Sequence, residues 1–103
     1  MFAYASRVIR IRGVPISDDE ARELAQLLMG DEAAVSLVDR IRRALEDADG
    51  GLIATSRLEA RAALFAVQRM LSRREYSERL LELRTGLVTM LREAERTRPP
   101  TRT

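Results

Sequence analysis

Ser17-Asp18-Asp19-Glu20 and Ser56-Arg57-Leu58-Glu59 fix where two helices of this chain begin. In each, the serine hydroxyl is placed to accept from the N–H three residues on. The glutamate at that third position is placed to reach back to the serine's own N–H, so two otherwise orphaned donors are satisfied together. Acids in the first turn, Asp18 and Asp19 among them, also suit the helix dipole. Each box follows a short apolar run and continues into Glu-Ala-Arg, 39 residues apart. The chain therefore reads strand, helix, helix, and then strand, helix, helix again. Only four positions coincide and capping boxes recur for local reasons, so this order is compatible with a duplication without requiring one.

Between these fixed points the pattern assigns the remaining elements. Arg7 to Val14 alternates, with Ile9 and Ile11 on one side and Arg10 and Arg12 on the other, which predicts a half-buried strand closed by Gly13 and Pro15. Helix one runs from the first box to about Met29 and stops at Gly30. Helix two, about 32–48, carries the stripe Ala34, Leu37, Val38, Ile41, Ala44, Leu45, Ala48 and ends at Asp49-Gly50-Gly51. Leu52-Ile53-Ala54 reads as a second strand, paired with the first within the chain or across a dimer. Helix three is apolar almost all round through Ala62–Val67, the pattern of a buried central helix. Ser72-Arg73-Arg74-Glu75 either caps a fourth helix, about 73–96, or sits within one longer helix. The expected fold is mainly α with minor β: four helices and two short strands, near residues 7–14 and 52–54. Residues 1–96 make one domain, and 97–103, with Pro99-Pro100, a disordered tail.

Composition removes most catalytic chemistry. All eighteen basic residues are arginine, and lysine, histidine and cysteine are absent. Without histidine no side chain has an unperturbed pKa near neutrality, and arginine stays protonated. Without cysteine or lysine there is no thiolate, Schiff base or phosphate-loop lysine. Ser6, Ser36, Ser56 and Ser72 lack a partner to activate them, so no enzyme activity is expected. A GC-rich bacterial or phage genome accounts for the arginine-only bias. Formal net charge is only +2, but its distribution is uneven. Residues 1–16 carry Arg7, Arg10 and Arg12 with no acid, whereas 17–32 carry six acids against Arg22.

Asp47-x-Asp49-Gly50 begins like a calcium loop, yet the fifth and twelfth positions are Gly51 and Leu58, which supply no side-chain oxygen. Asp18, Asp19, Glu20 and Glu23 are the densest carboxylates, and capping accounts for them. No metal or other cofactor is expected. The longest clear apolar run, Ala62–Val67, falls far short of the roughly 20 residues that a membrane span needs. MFAYASRVIRIRG lacks signal-peptide order. No membrane association is therefore expected, and the absence of cysteine is compatible with the cytoplasmic location expected for this chain.

Two surfaces stand out as candidates. At 100° per residue, Tyr76, Leu80, Leu83, Leu87, Met90, Leu91 and Ala94 form the core stripe of helix four. Leu81 and Val88 fall outside it, seven residues apart and flanked by Arg84 and Arg92. That spacing predicts a coiled-coil-like seam to a partner protein or a second copy. The second surface is the N-terminal strand. Residues 7–46, with Ser36-Leu37-Val38-Asp39-Arg40-Ile41-Arg42-Arg43-Ala44-Leu45 as their last helix, resemble the ribbon-helix-helix DNA binders. In that family strands from two protomers pair and enter the major groove. The resemblance implies nucleic-acid contacts from Arg7, Arg10 and Arg12, arginine being able to grip guanine bidentately. Gly13 adds a residue before the proline, and Asp31 and Glu32 occupy the start of the second helix, where the family accepts phosphate. The expected function is a non-catalytic protein-interaction or regulatory module, homodimeric, with DNA binding through the first strand as the alternative.

Overall fold

In the computed structural model, residues 8–47, 50–73 and 77–97 are described. Their elements run β1 (Val8–Ile11), β2 (Val14–Ile16), α1 (Asp18–Leu28), a 3-10 turn (Glu32–Ala34), α2 (Val35–Glu46), β3 (Gly50–Ile53), α3 (Arg57–Arg73) and α4 (Glu78–Thr97). The chain is mainly α, with four helices and a small sheet, as the sequence pattern predicts.

The sheet has three strands rather than two, in the order β2-β1-β3. The expected single strand over 7–14 is instead a hairpin that reverses at Arg12 and Gly13. Both residues have positive φ, 54° and 84°, as a two-residue turn matching the strand twist requires. Pro15 therefore does not end the strand. It lies opposite Arg10 in β2, an edge strand, where a residue without an N–H is tolerated. On its other side β1 pairs in parallel with β3 of the same chain, Ile9 opposite Gly51 and Ile11 opposite Ile53. The Arg12 N–H continues that ladder to the Ile53 carbonyl at 3.0 Å.

Gly50 opens β3 instead of ending helix two. Its φ is 76°, and a Cβ there would lie 2.4 Å from the Val8 carbonyl oxygen. Only glycine permits the two strands to come together at that point.

Both capping boxes form. The Ser17 Oγ accepts from the Glu20 N–H at 3.1 Å, and the Ser17 N–H donates to Glu20 Oε1 at 2.9 Å. At the second box the corresponding distances are 3.2 and 2.8 Å. Helix two is a 3-10 turn followed by α2, because the Asp31 side chain accepts from the Ala33 N–H and tightens the entry. Helices α3 and α4 are separate. The cap of α4 is Ser77, whose hydroxyl accepts from the Leu80 N–H at 3.3 Å, and not Ser72. That hydroxyl also donates to Glu20 Oε2 at 2.9 Å, joining the start of α4 to that of α1. Thr97 is the last residue of α4, so the helix enters the segment expected as tail; 98–103 lie outside the described residues.

Ile9, Ile11, Ile16 and Ile53 turn one face of the sheet into the core, where they join Leu24 and Leu28 of α1 and Leu37 and Ile41 of α2. Ala60, Ala63, Val67 and Met70 of α3 and Leu80, Leu83 and Leu87 of α4 complete it. The opposite sheet face presents Arg10, Pro15 and Leu52 to solvent.

Candidate functional site

The start of α3 is anchored with unusual firmness. Glu59 is only 8% exposed, and it accepts from the Ser56 N–H and from Arg40 on α2, where Nη2 lies 2.6 Å from Oε2. The same guanidinium donates to the Ala54 carbonyl through Nη1, and its Nε to the Ser36 carbonyl at 3.3 Å. Burial alone pushes the Glu59 carboxyl upward. Hydrogen bonds from Arg40 and the Ser56 N–H, the Arg40 charge and the Ser56 hydroxyl outweigh it and hold the group below the ordinary glutamate value. α3 is thus pinned to α2 and to the end of β3 at its first turn.

From that anchor, α3 leaves two of its large apolar side chains outside. The face turned into the molecule is built from Ala60, Ala63, Ala66, Val67 and Met70. Small residues there bring α3 close to α1 and α4. Phe65, about 200° around the helix from Ala63, is 64% exposed, and Leu58, seven residues earlier on the same line, is 62% exposed. The expectation that α3 is buried all round is therefore corrected. Its inner side is covered, while Leu58 and Phe65 remain open among the described residues.

The arginines of α3 share that open side. Arg57, Arg61, Arg69 and Arg73 are all exposed, and no ion pair joins any of them to another described residue. Elsewhere Arg22 pairs with Asp19, Arg40 with Glu59 and Arg43 with Asp39, and Arg79 lies 3.8 Å from Glu20. The only acid of α3 is Glu59, which is turned inward.

The residues singled out in the sequence are placed as follows. Leu81 and Val88 share a face of α4 and are half-buried, and Arg84 and Arg92 beside them are exposed. Arg10 projects from the outer sheet face. Arg12 is a turn residue rather than a strand residue, and Arg7 lies outside the described residues. Both edges of β1 are occupied by strands of its own chain. The resemblance to ribbon-helix-helix proteins required a free edge there for a second protomer, and this conformation provides none. Asp19 is tied to Arg22 at 3.2 Å and Glu20 to its cap, so the acidic cluster is engaged in holding α1.

A further apolar opening, a groove of about 280 Å³, lies where α1 meets α2. Met29 and Val35 stand at its rim, above Leu28 and Val38, with Arg42 alongside. Sequence periodicity had placed neither these two nor Phe65 on the surface. The signal for Phe65 was the excess of apolar residues around α3, more than one buried face can use. The chain has no significant match among protein-family models, curated proteins or solved structures.

Proposed function

We propose that this chain is a non-catalytic interaction module whose docking face is the outer side of α3. One observation carries the reading: beside the alanines, Val67 and Met70 that it buries, α3 leaves a phenylalanine and a leucine exposed on one line. A helix of a self-sufficient fold places its large apolar side chains inward, since burying them is what stabilises it. Exposed apolar side chains grouped on one face are the mark of a binding surface. Aromatic residues anchored on a rigid element commonly supply most of the affinity at such surfaces. The Glu59–Arg40 anchor supplies the rigidity.

A photoreactive benzoylphenylalanine in place of Phe65, irradiated in the native cell, tests the reading. The expected outcome is one discrete adduct, absent when the same probe replaces Glu46 on the exposed part of α2 and lost when Leu58→Glu is added. Equal labelling from both positions, or none from position 65, overturns it. Self-association, the sequence expectation, fits the α4 seam better than this face. There Glu78 and Glu95 lie on the same side of α4 as Arg84 and Arg92, whereas two copies of α3 would oppose arginine with arginine. Light scattering of Leu81→Glu with Val88→Glu against the parent protein separates the two surfaces. Loss of a dimer with the position-65 adduct retained is the result expected if both faces are used.

A further inference from the structure

Arg57, Arg61, Phe65, Arg69 and Arg73 follow one another at intervals of four residues, and all five are exposed. In an α-helix that interval advances about 6 Å and turns about 40°. The five side chains therefore make one oblique ridge about 24 Å long, with an aromatic ring at its centre and two guanidiniums on either side. Leu58 stands beside the ridge, one heptad from Phe65. The ridge does not help the isolated helix. Arg57–Arg61 and Arg69–Arg73 are like charges at i, i+4, which repel, and Arg57 sits at the positive end of the helix dipole. No carboxylate among the described residues is paired to any of the four, so none of the described acids neutralises their charge.

We propose that the outer face of α3 receives an acidic amphipathic helix of another protein. The inference rests on the docking reading above and adds the partner's chemistry. The partner's apolar residues, recurring every three to four positions, cover Leu58 and Phe65. Its flanking Asp and Glu meet the four guanidiniums, whose planar forks suit carboxylates bidentately. Charge complementarity selects the sign of the partner, and the apolar pair selects its amphipathic form. A nucleic-acid strand matches the arginines and could stack on Phe65, but it leaves Leu58 without a contact. A second copy of this face has the wrong sign throughout.

The test is fluorescence anisotropy with a labelled synthetic peptide designed as a helix, leucines at heptad spacing and glutamates on both flanks. Three comparators accompany it: a scramble of the same composition, polyglutamate and oligothymidylate. The patterned peptide should bind at least about tenfold tighter than each comparator. Arg57→Glu, Arg61→Glu, Arg69→Glu and Arg73→Glu together should remove that binding and create binding to a lysine version of the peptide. Arg69→Glu with Arg73→Glu should do so in part, and provides the second readout if the fourfold variant does not fold by circular dichroism. Polyglutamate or oligothymidylate binding as tightly as the patterned peptide overturns the proposal in favour of a bare polyanion. If the patterned peptide shows no binding at about 100 µM while position 65 still gives its adduct, the partner chemistry falls and the docking face stands. If the adduct also fails, the docking face falls with it.

Discussion

α3 and α4 pack against one another and are of similar length, 17 and 20 residues, yet they solve opposite problems. α4 turns Leu80, Leu83 and Leu87 inward until none is more than 1% exposed. Outward it presents four acids, Glu78, Glu82, Glu93 and Glu95, against four arginines, Arg79, Arg84, Arg92 and Arg96. That is a helix whose large leucines are covered by its own fold and whose exposed charges balance. α3 packs alanines with Val67 and Met70 inward, keeps its one acid inside and shows arginine, leucine and phenylalanine outside. The difference teaches that the amount of apolar sequence in a helix does not say which side of it the molecule covers. α4 holds the domain together, and α3 has a face left over.

The sharpest way to break this comparison is to truncate one large side chain on the inner face of α4. Leu87 is 0% exposed, so Leu87→Ala should cost about 2–5 kcal/mol through lost burial and the cavity left behind. Against a total of about 5–15 kcal/mol for a small domain, that is a large fraction. Thermal and urea unfolding should both register it. A loss below about 1 kcal/mol would remove α4 from the core and the comparison with it.

Glu59→Gln tests whether α3 is held by its internal acid. Glutamine can still accept from the Ser56 N–H but leaves the Arg40 guanidinium without its carboxylate. A loss of about 1–3 kcal/mol is expected, the low end favoured because Arg40 retains some solvent. The pH dependence has a definite sign. The folded carboxyl titrates below its ordinary value, so its stabilisation is complete above roughly pH 4.3, the unfolded glutamate value. It is lost as pH falls through the lower folded value. The gap between parent and variant melting temperatures should therefore be constant near neutrality and close in acid. A gap that widens in acid would show the sign of the Glu59 environment to be reversed.

Those two sites also show how unevenly the sequence disclosed the structure. The capping boxes were legible because donor and acceptor lie three residues apart and the geometry is local. Ser77 caps α4 without a reciprocal partner, since Leu80 stands where the glutamate of a box would be, so no motif marked it. The Arg40–Glu59 pair joins residues 19 apart and depends on how α2 settles beside β3, which no local pattern records. Pro15 read as a stop because an interior strand cannot use it, and only the sheet order shows that β2 is an edge. Gly50 read as a helix end because its close approach to Val8 is a tertiary fact. For α3, periodicity counted apolar positions correctly and assigned their burial wrongly. Which positions are covered depends on how many neighbours the fold supplies. Leu81 and Val88, read as an open seam, are half-buried, so of the two helices the more exposed apolar face is on α3.

A smaller effect of opposite sign sharpens the contrast. Arg57→Glu places an acid at the positive end of the α3 dipole and turns a repulsive i, i+4 pair with Arg61 into an attractive one. Stability should rise by about 0.5–1 kcal/mol while binding of the acidic peptide weakens. A fall in stability would mean that Arg57 already contributes to the fold, and the ridge could no longer be described as charge kept for a partner.

The smallest expected change in stability belongs to the largest exposed side chain of α3, and for that reason it discriminates best. Phe65 is 64% exposed, so truncation to alanine forfeits only about a third of a buried phenylalanine's worth, about 0.5–1 kcal/mol. Alanine returns about 0.5 kcal/mol through its higher helix propensity. The two terms nearly cancel, and Phe65→Ala should melt within about 0.5 kcal/mol of the parent, where Leu87→Ala loses several times as much. Peptide binding should show the reverse ranking: Phe65→Ala lowers affinity at least about tenfold, and Arg96→Ala, at the far end of α4, leaves it unchanged. If Phe65→Ala instead unfolds the protein as Leu87→Ala does, the ring is buried in solution and α3 is the central helix that its apolar pattern suggested. The outer face would then carry no docking site. If Phe65→Ala is silent in both stability and binding, the ridge is a solvated arginine surface, and the contrast with α4 is one of composition without consequence.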